Sequence, residues 1–222
     1  MNAQRLPLAL AALTIVAGYS LAAHAEILLS ITDGVYTGSA NDSASPGVAQ
    51  YSGTIGNFTT SIDVGLGYPG VGSLSDPVLD LTSADLTTKT SGGTLTISLT
   101  ETGFGPTPAG NFLSSLVGNY VSASAVMDSY YDTSDTPFGT GSHLASGLTD
   151  NQSVYTLVSP ITGPYSLTEI ITVTAGSNSL TSLDAVVDTP EPGSASLLGA
   201  GLLVFGAFAR RRFAVCQALP LT

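Results

Sequence analysis

The chain has 222 residues, with 5 basic against 16 acidic side chains and a formal net charge of −11 at pH 7. Between residues 26 and 189 the sequence holds one cation, Lys89, so the surface repels phosphate backbones and nucleic acid is excluded as a partner. The single cysteine, Cys216, has no intramolecular partner, which excludes a fold held by disulfides.

Residues 1–25 have the pattern of a secretory signal peptide. A basic residue precedes an apolar stretch, and Ala23-His24-Ala25 follows with small residues at both positions that the peptidase pocket requires. We therefore predict a signal helix that signal peptidase removes after Ala25, so that Glu26 begins the exported chain. The alternative is a buried or membrane-spanning helix, and the shortness of the apolar stretch argues against it.

The clearest strand pattern lies at residues 94–100, where polar and apolar residues alternate. This period of two predicts that three side chains face a core, namely Leu95, Ile97 and Leu99. The segment follows Gly92-Gly93, a strong turn signal, and residues 85–90 precede that turn. We therefore expect a β-hairpin between these two segments.

A second strand is predicted at residues 165–175, although Glu169 interrupts its apolar face. Weaker strand patterns occupy residues 26–35, 50–64, 119–130, 153–158 and 183–187. Residues 113–117 are compatible with one helical turn, and dense Gly/Pro turns separate the strands. The prediction is an all-β fold, a single antiparallel β-sandwich of jelly-roll or immunoglobulin-like type. It is flanked by an N-terminal signal helix and a C-terminal transmembrane helix.

The residues between the two ends do not suggest catalysis or a cofactor. His143 is the only histidine after the signal peptide. It lies in a Gly/Ser-rich stretch typical of a loop, which does not suggest the base of a Ser-His-Asp site. Lys89 lies beside a turn, which favours a solvated strand end. Residues 65–70 match G-x-G-x-x-G, but Pro69 and the residues after it do not open a phosphate-binding helix. We predict that the protein is not an enzyme.

Three carboxylates lie close together in the sequence and form the one candidate metal site. They are Asp128, Asp132 and Asp135, and carboxylate oxygens suit Ca²⁺. Solvated surface carboxylates are the alternative, because the spacing matches no EF-hand. Paired carboxylates also occur in glycosidases. Three tyrosines would either stack on sugar rings or pack against the core, namely Tyr120, Tyr130 and Tyr131.

The C-terminal region has three parts in a fixed order. Pro190-Glu191-Pro192 comes first, residues 193–209 follow without a charge, and Arg210-Arg211-Arg212 closes the run. As a helix the charge-free run would extend about 25 Å at 1.5 Å per residue, slightly less than a hydrocarbon core. The arginines predict a cytoplasmic end, which leaves the preceding domain outside.

This order resembles the PEP-CTERM sorting signal of Gram-negative bacteria. The resemblance covers residues 189–212 and implies cleavage by the membrane protease-transpeptidase exosortase near Pro190. It also implies an association with exopolysaccharide and biofilm. Residues 213–222 continue beyond the point where the family usually ends. A single-pass anchor that is never cut is the alternative.

Together these patterns divide the chain into a signal peptide (1–25), an extracytoplasmic domain (26–188), the sorting signal (189–212) and a short tail (213–222). We expect a non-enzymatic protein of the cell envelope or extracellular matrix, adhesive or structural in exopolysaccharide. A carbohydrate-binding module with structural calcium is the alternative, and a glycosidase is a further one.

Overall fold

The structure, a computed structural model, describes residues 25–189, and every helix or strand assigned in that range is a β-strand. The ten strands are β1 (Glu26–Thr32), β2 (Thr37–Asn41), β3 (Val48–Ile55), β4 (Phe58–Leu66), β5 (Val78–Thr88), β6 (Gly93–Phe104), β7 (Gly110–Asp132), β8 (Ser142–Leu148), β9 (Gln152–Val158) and β10 (Tyr165–Asp188). All pairings are antiparallel within one sheet, so the all-β prediction is confirmed. The expected signal and transmembrane helices lie outside the described residues.

β10 is the central strand of the sheet. Its first half pairs with β6 and its second half with β5, both along one edge, while β7 pairs along the other edge for most of its length. β1 and β2 extend the sheet from β6, and β4 and β3 extend it from β5. β8 and β9 flank the two halves of β7. A strand that is hydrogen-bonded along both edges exposes fewer unpaired backbone groups than an edge strand.

The sheet folds over at residues 175–180, where the pairing between β10 and β7 shifts register. The two halves then face each other, because Ser114 and Ser129 lie on opposite halves of β7 and their Oγ atoms are 2.8 Å apart. Leu99 of one half packs directly over Gly65 of the other, where a Cβ would come within 2.2 Å of the leucine side chain. One core therefore lies between the two halves.

The inner faces of both halves supply this core. The residues predicted to face inward from β6 are fully buried, which confirms that prediction, and they are Leu95, Ile97 and Leu99. Fully burying an aliphatic side chain of this size contributes about 1.5–3 kcal/mol. The alternation in β6 thus reflects a strand with one core-facing side.

The hairpin expected around Gly92-Gly93 is wrong. β5 and β6 pair with different halves of β10, and residues 89–92 carry the chain from one layer to the other. Gly92 lies so close to β10 that a Cβ there would come within 1.9 Å of the Ala175 carbonyl oxygen. Gly92 marks a close backbone approach, and the Gly-Gly pair has the same sequence signature as a tight turn.

Other boundaries also differ from the prediction. The strands expected at residues 165–175 and 183–187 are two parts of β10, and the single strand expected at residues 50–64 spans parts of two strands, β3 and β4. Residues 113–117 are part of β7, so the suggested helical turn is wrong. β2 and β8 were not predicted. β2 has the sequence TGSAN, whose small and polar residues show little hydrophobic alternation.

Candidate functional site

The end of β10 forms the junction between the domain and the C-terminal segment. Asp188 is the last residue of the strand and is paired on both sides, with β5 and with β7. The next residue, Thr189, is only 7% exposed. Its backbone N–H donates to the Pro77 carbonyl oxygen at 3.3 Å, and its Oγ1 donates to Asp76 Oδ1 at 2.7 Å. The domain therefore holds the chain one residue beyond the strand.

The loop that receives Thr189 is itself braced. The Asp76 N–H donates to Ser73 Oγ at 3.0 Å, and the Ser73 N–H donates to the Asp76 carbonyl oxygen at 2.8 Å. The Gly105 N–H donates to the Leu74 carbonyl oxygen at 2.6 Å, which ties this loop to the end of β6. The C-terminal segment thus leaves the domain from a fixed point at one end of the central strand.

Residues 188–212 match the family described as the PEP-CTERM protein-sorting motif. The chain carries a PEP-CTERM sorting motif. The PEP-CTERM motif implies an exported protein that is anchored transiently at the membrane by its C terminus and processed by an exosortase. The match begins at Asp188, so the PEP-CTERM motif starts where the central strand ends.

The residues predicted to form the PEP-CTERM signal fall inside the match and outside the described part of the chain. They are Pro190, Glu191, Pro192, Arg210, Arg211 and Arg212. Ala23 of the expected cleavage site and the tail 213–222 also lie outside the described residues, whereas Ala25 is described and buried. Within residues 25–189 no helix is long and apolar enough to span a membrane. No curated protein and no solved structure matches the chain.

The three carboxylates of the predicted calcium site bond to separate parts of the domain. Asp132 Oδ1 accepts hydrogen bonds from the Ser134 N–H at 2.8 Å and Ser134 Oγ at 2.7 Å, and the backbone bond is the main reason that the pKa of Asp132 is lowered. Asp128 accepts from the backbone of β8, and Asp135 accepts from the backbone of β6. Among the described residues no three His, Cys, Asp or Glu side chains are arranged to hold a metal. Calcium binding stays a prediction.

His143 lies in β8 and not in a loop, so that part of its prediction is wrong. Its side chain is exposed, as expected, and its ring centroid lies 4.4 Å from that of Tyr130. Tyr120 and Tyr131 are half-buried and pack against the core. Lys89 is exposed just after β5, in agreement with its interpretation as a solvated strand end.

Sequence reasoning missed two buried glutamates. Glu101 of β6 and Glu169 of β10 are both fully buried on the inner faces of the sheet. Glu101 Oε1 accepts a hydrogen bond from the Tyr68 N–H at 3.0 Å, but its Oε2 has no partner in the described structure. Neither carboxyl oxygen of Glu169 makes a hydrogen bond of normal geometry within residues 25–189, although the nearby Val187 backbone partly stabilises its ionised form. The one available signal was that Glu169 interrupts an otherwise apolar strand face.

Burial controls the protonation of both groups. It raises the pKa of Glu101 to about 8, with a smaller contribution from the charge of Asp42. Burial also raises the pKa of Glu169 well above its ordinary value, with a further contribution from Asp80. Raised carboxyl pKa values are typical of general acids, but a general acid must reach a substrate. These two carboxyls lie inside the folded sheet, so they act as neutral core groups.

Proposed function

We propose that this chain is a non-enzymatic protein of the cell envelope or extracellular matrix, exported through a signal peptide and anchored by a C-terminal helix until exosortase cuts near Pro190-Glu191-Pro192. One observation carries the proposal: the sorting motif begins at the last residue of the central strand. A motif joined to a fully paired strand displays the whole domain as one body outside the membrane.

The chemistry of the described domain supports a role without catalysis. The carboxyls with the most strongly raised pKa values, Glu101 and Glu169, are enclosed in the core. The single histidine of the described part, His143, is exposed and stacks near Tyr130. Neither arrangement places an acid or base beside a nucleophile in a cleft.

We also propose that the domain is adhesive or structural within an exopolysaccharide matrix, and that its folded sheet is a variant of a β-sandwich. Serine and threonine are frequent in several strands, for example five of the twelve residues of β6, and their hydroxyls suit hydrogen bonding to hydrated polysaccharide. No specific contact in the described domain favours the carbohydrate-binding module or the glycosidase.

Two variants expressed in an exosortase-bearing host test this proposal. Deletion of residues 190–212 removes both anchor and cleavage motif, and we expect the protein in the soluble medium. Changing Pro190 and Pro192 to alanine keeps the apolar run, and we expect the uncut protein in the membrane fraction. Unchanged fractionation of both variants would show that this segment does not sort the protein.

A further inference from the structure

β9 presents an apolar, uncharged surface at the edge of the sheet. Its residues, Gln152–Val158, include no charged side chain, and within the described chain it pairs only with β7. Leu157 is 76% exposed and Tyr155 is 63% exposed. These two side chains point to the same outer face, since they are two residues apart on a strand, and we call them the β9 patch.

The register of the sheet places the β9 patch at the end from which the sorting motif leaves. Tyr155 is opposite Leu113 of β7, which is opposite Asp188, the last residue of β10. Leu157 is opposite Asn111 and therefore lies two positions beyond the end of β10, about 7 Å further along the strand direction. Two strand spacings of about 4.8 Å separate Tyr155 from Asp188 across the sheet.

The connection from this end to the charge-free run is short. Residues 189–192 separate Asp188 from Gly193, where that run begins. Even fully extended, these residues reach at most about 18 Å at 3.3–3.6 Å per residue. Thr189 is also bonded to Asp76 and Pro77, which shortens the free length further. An anchored domain must therefore hold this end close to the lipid headgroups.

Four loops also meet at this end, at residues 42–47, 67–77, 105–109 and 159–164. Two of them contain an aspartate that is held within the domain, since Asp42 accepts a hydrogen bond from the Gly47 N–H and Asp76 accepts one from Thr189 Oγ1. The loops lie together because the Gly67 N–H donates to the Gly47 carbonyl oxygen, and Thr107 pairs with Ile161.

We propose that the β9 patch docks into the headgroup region of the membrane while the chain is anchored. This inference rests on the proposed function, because it needs the C-terminal anchor. Tyrosine side chains are favoured at this depth, where an apolar ring meets a hydrated surface. Docking fixes the orientation of the domain and keeps the short segment after Thr189 at the membrane surface, where a membrane-embedded exosortase would meet it.

Single tryptophans test the docking directly, because the chain has none of its own. Leu157→Trp and Tyr155→Trp place the probe in the patch. Tyr36→Trp is the matched control, since Tyr36 is 61% exposed in the β1–β2 turn at the opposite end of the sheet. Each full-length variant is reconstituted into phosphatidylcholine vesicles with or without bromine on the upper acyl chain, and tryptophan emission is compared.

We expect brominated lipid to reduce the emission of Leu157→Trp roughly twofold, to reduce that of Tyr155→Trp less, and to leave Tyr36→Trp unchanged. Equal emission with both lipids for the two patch variants would overturn the docking. The same result is expected if a second copy or another protein covers the patch, so that outcome also counts against docking. Vesicle flotation separates the two failures. A protein that floats without quenching is anchored but undocked, whereas one that does not float refutes the anchor itself.

Discussion

The buried glutamates predict that this protein loses stability as the pH rises. In the folded state burial holds Glu101 protonated up to about pH 8, whereas an unfolded chain releases that proton near the ordinary value of 4.5. The contribution of Glu101 to the free energy of unfolding is therefore complete below about pH 4.5. It is lost progressively as the pH rises towards 8.

The size of this effect follows from the two pKa values. A rise from 4.5 to about 8 corresponds to roughly 5 kcal/mol at about 1.36 kcal/mol per pKa unit. Glu169 changes stability in the same direction, because its pKa is also raised. A typical domain has only about 5–15 kcal/mol of net stability, so the loss is large.

Urea unfolding of the chain at pH 5 and at pH 8 measures this effect. We expect a clearly lower midpoint at pH 8, and a smaller difference for Glu101→Gln, because glutamine can keep the acceptor for the Tyr68 N–H without titrating. Glu26→Gln is the control, since Glu26 is exposed and begins β1. Equal midpoints at the two pH values, or an unchanged difference in Glu101→Gln, would refute the reasoning.

Three further predictions follow from the fold and the junction. Asp76→Ala removes the acceptor for Thr189 Oγ1, so we expect about 1 kcal/mol less stability and faster exosortase cleavage, measured as the ratio of cut to uncut protein. Leu99→Ala leaves a cavity beneath Gly65 and should cost about 2–5 kcal/mol in urea unfolding. A calcium site at Asp128, Asp132 and Asp135 predicts a fall in Tm on chelation, whereas solvated carboxylates, with Asp132 bonded within its own turn, predict an unchanged Tm.

Each of these predictions has a control and a contradicting result. Asp85→Ala changes an exposed carboxylate of β5, and cleavage as fast as in Asp76→Ala would show that the junction does not limit processing. Val35→Ala alters an exposed residue of the β1–β2 turn, and a comparable stability loss would count against the assigned core. A fall in Tm on chelation that Asp132→Ala abolishes would establish the calcium site.

The sequence predicts the strands better than their pairing. Alternation identified the core face of β6, because side-chain direction depends only on the local backbone. The insertion of β10 between β5 and β6 depends on contacts between residues about 60–110 positions apart. Local turn signals cannot reveal such pairings, which is why Gly92-Gly93 suggested a hairpin. The length of β10 was missed because its register shift after Ala175 looks like a strand end.

The sorting motif was predictable because its three parts are contiguous in sequence, and the match at residues 188–212 confirms it. The bond between Thr189 and Asp76 was not predictable, since 113 positions separate the two residues. Asp128, Asp132 and Asp135 show the opposite case, in which neighbours in sequence bond to separate parts of the sheet. The burial of Glu101 likewise depends on Gly67 and Tyr68 in the loop after β4, which lie far from it in sequence.

The mass of the mature protein, isolated from cells that contain an exosortase, tests the central claim most directly. We predict a chain that starts at Glu26, ends near Pro190-Glu191-Pro192 and lacks Arg210 to Arg212, recovered from the envelope or the medium. An intact chain from Met1 to Thr222, recovered from the cytosol, would contradict export, anchoring and cleavage together.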